Sequence, residues 1–289
     1  MLMETGILFH ITLLSLLNLR STSGSCSTRW PSCSSDENIV CTTDYGKPVV
    51  NCDIIYNDPE VRKAIVDSHN YYRNKVAIGN ETRGAFRCIS DMLAMSYDPD
   101  LEFTAQCQAS RCIYDHNAPC YITTNFSEVG QNLNGRVFLG EDRDSFHTAA
   151  ETTKMIAEWY EYEIAESNEK VFEDFSRMKT MLIGYLYQML WAETYRIGCG
   201  RSCLEEKYHM MICNYGPKGL RVAKPLGRIG RPCTKCPEEM SCNKEYEGLC
   251  GEIDVSQYYI TVSGAIRTFY TGACIWVVIF CFVASAVFR

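Results

Sequence analysis

The most chemically informative residues in this 289-residue chain are its 17 cysteines. Near the C-terminus, Cys233 and Cys236 form a Cys-x-x-Cys pair that is followed by Cys242 and Cys250. Four such thiolates could hold a zinc ion, and the pair alone could carry out thiol–disulfide exchange. Cysteines are, however, spread along the whole chain, and hydrophobic segments lie at both ends. This pattern indicates an oxidising compartment, so two disulfides are favoured here over a metal or redox site.

The other titratable residues form no recognisable catalytic set. The five histidines stand at positions 10, 69, 116, 147 and 209, and none lies in a recognisable Ser-His-Asp context. A run of glutamates could attract a cation but favours a solvated helix face, and its members are Glu151, Glu158, Glu161, Glu163, Glu166 and Glu169. Residues 218–235 carry six basic residues and no acid, which favours a solvated linker over a heparin or membrane patch. The formal net charge of −7 gives no reason to expect nucleic acid as a partner.

Amphipathic helices are expected to position these residues. The first opens at Pro59 and ends at Gly79, and the second opens at Pro99 and extends to about Tyr114. The third is expected from Phe146 to about Ala165. In each of them, apolar residues recur every three or four positions, which is the spacing of one helix face.

Two apolar, aromatic runs form the centre of the predicted fold. Residues 184–191 (GYLYQMLW) and 210–217 (MMICNYGP) both favour β-structure. Residues 196–203 are predicted as a strand and turn between them, and residues 126–134 as a short extended piece. Residues 25–57 show no helical period, so this loop-rich strap must be tied to the rest by disulfides.

Both ends of the chain indicate export to the cell surface or beyond. An apolar run at 7–17 followed by small residues up to Gly24 predicts a secretory signal peptide. At the other end, residues 273–288 carry no charge and follow a triplet of small residues, which predicts a GPI-attachment signal at Ser263 or Gly264. A retained membrane helix is the alternative. Asn80 and Asn125 begin sequons and are candidate glycosylation sites.

Five stretches together resemble the CAP superfamily of cysteine-rich secretory proteins, antigen 5 allergens and plant pathogenesis-related proteins. Residues 184–191 resemble its GHYTQ-x-x-W motif, and residues 213–217 (CNYGP) match its C-N-Y-x-P motif. Residues 68–77, 129–133 and 197–200 resemble its HNxxR, GENL and post-Trp strand segments. The N-terminal cysteines resemble the antigen 5 branch most closely, and the cluster from Cys233 to Cys250 resembles the hinge of the cysteine-rich secretory proteins.

The resemblance implies an α+β fold, a three-layer α-β-α sandwich with an N-terminal Cys-rich strap and a small C-terminal Cys-rich hinge. The expected segments are a signal peptide (1–24), a disulfide-tied extension (25–57), the CAP domain (58–222), the hinge-like module (223–252), a linker (253–263) and the hydrophobic tail (264–289). Family pairing suggests these disulfides: Cys26–Cys41, Cys33–Cys120, Cys52–Cys112, Cys199–Cys213, Cys233–Cys242 and Cys236–Cys250. The pairing of the other cysteines before the tail stays open: one candidate is a bond between Cys88 and Cys107, which would leave Cys203 for a bond between chains.

Members of this family often hold two histidines and two glutamates in a cleft that can bind a zinc-like ion. Carried over by position, these four residues become His116, Gln131, Tyr162 and Tyr185, so only one of the four is retained. A Gln amide is a poor metal ligand, and tyrosines with ordinary pKa values near 10 stay protonated at neutral pH. Two alternatives remain open. A shift of the third helix could bring Glu161 or Glu163 into the cleft, and Glu128 could bend inward. His69 belongs to the first-helix motif and is expected to be structural.

The sequence therefore predicts a non-enzymatic, secreted or surface-tethered binding module with no cofactor and no tightly bound metal. Its partner would be a protein or lipid, and the tail or a GPI anchor would hold it to a membrane. Lipid or sterol carriage and weak protease-like hydrolysis, which the resemblance implies for some relatives, are the alternatives.

Overall fold

The computed structural model describes residues 30–42, 48–116, 120–138, 145–167, 169–174 and 184–260. The predicted signal peptide, the hydrophobic tail and the candidate attachment residues Ser263 and Gly264 lie outside these ranges. Within them, no helix has both the length and the apolar character that crossing a bilayer requires.

The elements follow one another as helices and strands around a single sheet. In chain order they are α1 (Ile39–Thr42), β1 (Cys52–Ile55), α2 (Pro59–Ala77), β2 (Ser96–Tyr97), α3 (Pro99–Ala109), β3 (Gly130–Val137), α4 (Ala149–Glu161), α5 (Gly184–Leu190), β4 (Arg196–Leu204) and β5 (Tyr208–Gly216). Short 3₁₀ turns lie at Ile164–Glu166, Glu169–Phe172 and Val255–Tyr259.

The three predicted helices exist, and side-chain caps fix where they begin. Asp58 and Asp98 accept backbone N–H groups of the first turns of α2 and α3, each just before a proline. Thr148 does the same for α4, which therefore begins after Phe146. The second helix is shorter than predicted because it ends at Ala109, with Ser110 as its cap, and does not reach Tyr114.

The prediction of β-structure for residues 184–191 is wrong, because Gly184–Leu190 forms the helix α5. The last five residues of this helix are buried, so the run lacks the exposed polar face that would reveal a helical period. A short, continuous apolar run does not distinguish a buried strand from a buried helix. The partner run is a strand as predicted, since residues 210–216 lie within β5, which ends just before Pro217, and residues 196–203 lie within β4.

The sheet lies between two helical layers. Its main strands follow the order β1-β4-β5-β3 and are antiparallel, while β2 pairs with β4 in parallel. On one face, Gly198 and Gly200 let α3 approach so closely that a Cβ atom would lie 2.1 and 2.3 Å from its backbone nitrogens. On the other face, Met211 and Tyr215 join a large core with residues of α2, α4 and α5. The fold is thus the α-β-α sandwich that the resemblance implied.

The flanking segments are built into this sandwich. β1, which belongs to the predicted extension, pairs with β4 and forms part of the sheet. The hinge-like module contacts the core where the Ala94 N–H donates to the Cys250 carbonyl at 2.9 Å. Further on, the Arg62 guanidinium donates to the carbonyls of Tyr258 and Ile260 at 3.0 and 2.5 Å. The described part of the linker is therefore fixed on the core.

Disulfides join these segments in the pattern that the resemblance implied. The pairs are Cys33–Cys120, Cys52–Cys112, Cys199–Cys213, Cys233–Cys242 and Cys236–Cys250. Cys41 is also disulfide-bonded, and its expected partner Cys26 lies outside the described residues.

The candidate Cys88–Cys107 bond is wrong, since both residues are thiols. Cys88 lies beside the end of α2, where a Cβ on Gly79 would meet its sulfur at 2.8 Å. Cys107 is buried within α3, in the opposite helical layer. Cys203 is 5% exposed and its sulfur lies 3.6 Å from His209 Nε2, so the folded chain does not present it for a bond between chains.

Candidate functional site

Tyr185, at the start of α5, is the centre of the candidate cleft. Its ring lies 6.1 Å from the His116 ring and 6.2 Å from the Trp159 ring, measured between centroids. Burial, a hydrogen bond with Tyr114 and the nearby Glu163 raise the pKa of Tyr185 well above its usual value. At neutral pH this residue is a phenol that can donate or accept a hydrogen bond.

Glu163 supplies the carboxyl group of the cleft. The chain leaves α4 after Glu161, so the next residues turn, and the carboxylate of Glu163 accepts the Leu186 N–H at 2.8 Å. It also accepts the N–H of Tyr185. Burial raises the pKa of Glu163 to about 7, although the two backbone N–H groups act in the opposite direction.

The position-by-position expectation for Tyr162 is therefore wrong. This side chain is 75% exposed at the C-cap of α4, while Glu163, one residue further, turns inward. Of the open alternatives, Glu163 is the carboxylate that lies beside Tyr185, and the turn after α4, with no shift of the helix, brings it there. Glu161 instead points outward and pairs with Arg83 at 2.5 Å.

Gln131 is placed away from the tyrosines and forms part of a buried amide network. Its Nε2 donates to Gln108 Oε1 at 2.7 Å and to Asn214 Oδ1 at 2.9 Å. The next residue, Asn132, points to the opposite face of β3 and donates to the Tyr185 carbonyl at 3.0 Å. Gln131 thus stabilises the sheet against α3, and Asn132 is the residue of β3 that positions α5.

His116 is exposed and follows the turn after α3. Gln108 donates to the Asp115 carbonyl at 2.9 Å, which fixes this turn, and the disulfide at Cys112 ties it to β1. Glu128, the other alternative, is 61% exposed and lies 3.9 Å from Arg221, so its carboxylate does not enter the cleft.

His69 is a structural residue, as predicted. Its Nδ1 lies 2.7 Å from the Ile65 carbonyl and its Nε2 lies 2.9 Å from the Tyr215 hydroxyl. Burial lowers the pKa of His69 to about 4, so the imidazole is neutral at physiological pH. The cleft residue that the sequence does not reveal is Tyr114, since aromatic identity alone does not distinguish a cleft wall from core, and Trp159 packs behind Tyr185 as part of the core.

The donor set of this cleft does not fit a tightly held divalent metal. Zinc sites in enzymes use three protein ligands, commonly imidazoles and carboxylates. Here His116 is the imidazole, the carboxylate of Glu163 already accepts two amides and protonates near neutral pH, and Tyr185 is protonated. Among the described residues, the one cluster of three or more metal-ligating atoms comprises the sulfurs of Cys233, Cys236 and Cys250, all of which are in disulfides.

Comparison with known proteins gives consistent matches. The sequence model of the cysteine-rich secretory protein family (CAP) matches residues 66–215. Venom allergen 5 of Tityus serrulatus is 31% identical over 68% of this chain and 48% of its own length. Venom allergen 3 of Solenopsis invicta is 32% identical over 60% of this chain and 74% of its own. The crystal structure of NaASP2 with Zn²⁺ superposes with a TM-score of 0.54 at 27% identity, over 66% of this chain and 95% of that one. The chain spans about half the length of several curated relatives that it matches.

Proposed function

Because the chain belongs to the cysteine-rich secretory protein (CAP) family, we propose that it acts as an extracellular binding module and not as an enzyme. The disulfides that tie its strap, sheet and hinge support a role in an oxidising, extracellular environment. The same disulfides make the sandwich a rigid platform for the loops that surround the cleft.

The observation that carries this proposal is that a phenol, Tyr185, lies between Glu163 and the His116 ring. Tyr185 is a protonated phenol, and Glu163 is a carboxyl group that accepts two backbone amides. Neither group is an activated nucleophile, and the aromatic rings of His116 and Trp159 lie beside them. Such a cleft suits an uncharged polar or aromatic group of a partner better than an ion.

The solved relative named with Zn²⁺ makes zinc the natural competing proposal. For this chain we expect zinc to bind weakly, because Tyr185 stands where the family motif has an imidazole. Purified protein should contain no stoichiometric zinc by elemental analysis and should show no peptidase activity with or without added zinc. Stoichiometric zinc that survives dialysis, or zinc-dependent peptidase activity, would overturn the proposal.

Attachment to a cell surface is the second part of the proposal. The described chain is fixed on the core as far as Ile260, only three residues before Ser263. A GPI anchor at Ser263 or Gly264 would therefore hold the domain close to the membrane, and a retained membrane helix is the competing form. Asn80 and Asn125 are exposed and available for glycans. Release from cells by phosphatidylinositol-specific phospholipase C would support the anchor, whereas retention in the membrane fraction would favour the helix.

A further inference from the structure

A pocket of about 410 Å³ lies at one end of the sheet, with Tyr114 between it and the cleft. The helix α3 ends at Ala109, but the strands beneath it continue for several residues. The sheet face there lacks a helical cover, and the Tyr114 ring packs over Gly135, where a Cβ atom would lie 3.1 Å from it. The loop from Cys112 to Tyr114 forms one wall and the β4–β5 hairpin forms the other.

The lining of this pocket is mainly apolar. It consists of Cys112, Tyr114, Gly135, Arg136, Val137, Leu204, Tyr208, His209 and Met210. Three of these residues keep much of their surface in solvent, since Tyr114 is 54%, Val137 56% and Tyr208 41% exposed. Large apolar side chains grouped around a concavity of this size are typical of a ligand site.

The walls are held in place without a ligand. The Tyr114 hydroxyl donates to the Leu133 carbonyl at 3.3 Å, and the disulfide Cys52–Cys112 fixes the start of its loop. The Lys207 ammonium lies over the Tyr208 ring, 4.8 Å from its centroid. Binding therefore requires little ordering of side chains, which favours affinity.

The charges around the pocket determine what it can accept. Among the described residues no carboxylate lines it, and Arg136, the one Arg or Lys of that lining, is paired with Glu151 and Glu158 of α4 and lies over the Phe138 ring. A charged ligand inside this described lining would lose water without gaining an unpaired opposite charge there, because the Lys207 ammonium lies at the rim, over the Tyr208 ring. The rings of Tyr114 and Tyr208 offer faces for stacking.

We infer that this pocket is a binding site for an uncharged, largely apolar molecule of one or two aromatic rings. The site shares only Tyr114 with the cleft, and the inference does not depend on the proposed function.

Two dyes that differ by one charge test this inference. N-phenyl-1-naphthylamine is neutral, and 1-anilinonaphthalene-8-sulfonate carries one sulfonate on the same ring system. We expect saturable 1:1 binding of the neutral dye to the folded protein, with an affinity at least about tenfold above that of the sulfonate. Equal or tighter binding of the sulfonate would overturn the assigned ligand class.

Two matched substitutions test whether the dye binds in this pocket. Val137→Asp puts a carboxylate in the pocket wall and should weaken binding of the neutral dye at least about tenfold. Val255→Asp makes the same change at a site with similar exposure, 58% against 56%, outside the pocket lining, and should leave binding unchanged. Thermal melting of both variants checks that they are folded. A folded Val137→Asp variant that binds like the wild type, or wild-type protein that binds neither dye, would refute the site.

Discussion

The carboxylate of Glu163 accepts the backbone N–H of Leu186 at 2.8 Å and so joins the end of the α4 segment to the first turn of α5. This contact brings a carboxyl group beside Tyr185. The family motif has a histidine at the position of Tyr185. The charge of the cleft therefore depends on whether the Glu163 carboxyl group is protonated.

We predict that Glu163 makes the protein less stable as pH rises towards neutrality. Folding raises the pKa of Glu163 from its ordinary 4.5 to about 7, because burial disfavours the charged form. The folded state therefore binds more protons in this window, so the stabilisation is complete below pH 4.5 and is lost as pH rises through about 7. Allowing for partial exposure, the effect is about 1–2 kcal/mol.

In urea unfolding, the free energy of unfolding of Glu163→Gln should lack this dependence on pH. The exposed neighbour substitution Glu166→Gln should retain it, and an unchanged profile for Glu163→Gln would contradict the assignment.

Replacing one residue should convert the cleft into a metal site. Tyr185→His adds an imidazole to His116 and Glu163, which gives the three protein ligands of an open zinc site. We expect zinc affinity to rise by about tenfold or more, with a tetrahedral cobalt absorption spectrum as the second readout. Tyr162→His adds an imidazole at a side chain that is 75% exposed and should change neither measurement. Equal zinc binding by both variants would show that Glu163 and His116 do not lie where the structure places them.

The sequence predicts the framework of the fold well, and physical reasons explain its errors. Each Asp-Pro pair sets the start of a helix through a local cap, so α2 and α3 begin where expected. The sequence predicts a strand for α5 because the last five residues of this helix are buried, and its identity depends on tertiary contacts. One of these is the donation from Asn132 to the Tyr185 carbonyl, which no local pattern reveals.

The candidate site was predictable only to within one residue. Position-by-position comparison with the family points to Tyr162, yet Glu163 enters the cleft because α4 ends at Glu161 and the chain then tightens, with the Glu163 N–H donating to the Tyr160 carbonyl at 3.3 Å. Where a helix ends depends on what the next residues contact, here the amides of α5. The same position-by-position comparison assigns Gln131 to the cleft. Its side-chain amide instead donates to Gln108 and Asn214 on the α3 face of the sheet.

Loss of Arg73 should be among the most damaging substitutions in the core. Its fully buried guanidinium donates to the carbonyls of Leu93, Met189, Trp191, Ala192 and Thr194. Arg73→Met would leave these carbonyls without their donor and should reduce the free energy of unfolding by at least about 3 kcal/mol. Arg228→Met, at a side chain that is 70% exposed, should cost less than about 1 kcal/mol. A loss below about 1 kcal/mol for Arg73→Met, measured by urea unfolding, would mean that other groups satisfy the carbonyls.

The thiols should differ sharply in reactivity. Cys88 is partly exposed, whereas Cys107 is buried and its pKa is raised to about 12 by that burial. Since the thiolate is the reactive form, iodoacetamide should modify Cys88 in the native protein and spare Cys107 and Cys203. All three should react after unfolding without reductant, as read by peptide mass spectrometry. A peptide in which Cys88 and Cys107 are joined by a disulfide would contradict the structure.

The turn between β4 and β5 should be stabilised by glycine. The Lys207 N–H donates to the Leu204 carbonyl at 3.2 Å, and Glu205 and Glu206 between them have φ values of 51° and 57°. An L-residue in this left-handed region costs about 1–2 kcal/mol, and hairpin turns with positive φ favour glycine. Glu206→Gly should therefore raise the free energy of unfolding by about 1 kcal/mol relative to Glu206→Ala. The alanine variant removes the same charge and side-chain contacts but keeps the backbone strain, so the difference between the two isolates the turn. Equal stability of the two variants would show that Glu206 is not held in the left-handed region, because relief of that strain is the one gain that glycine offers here.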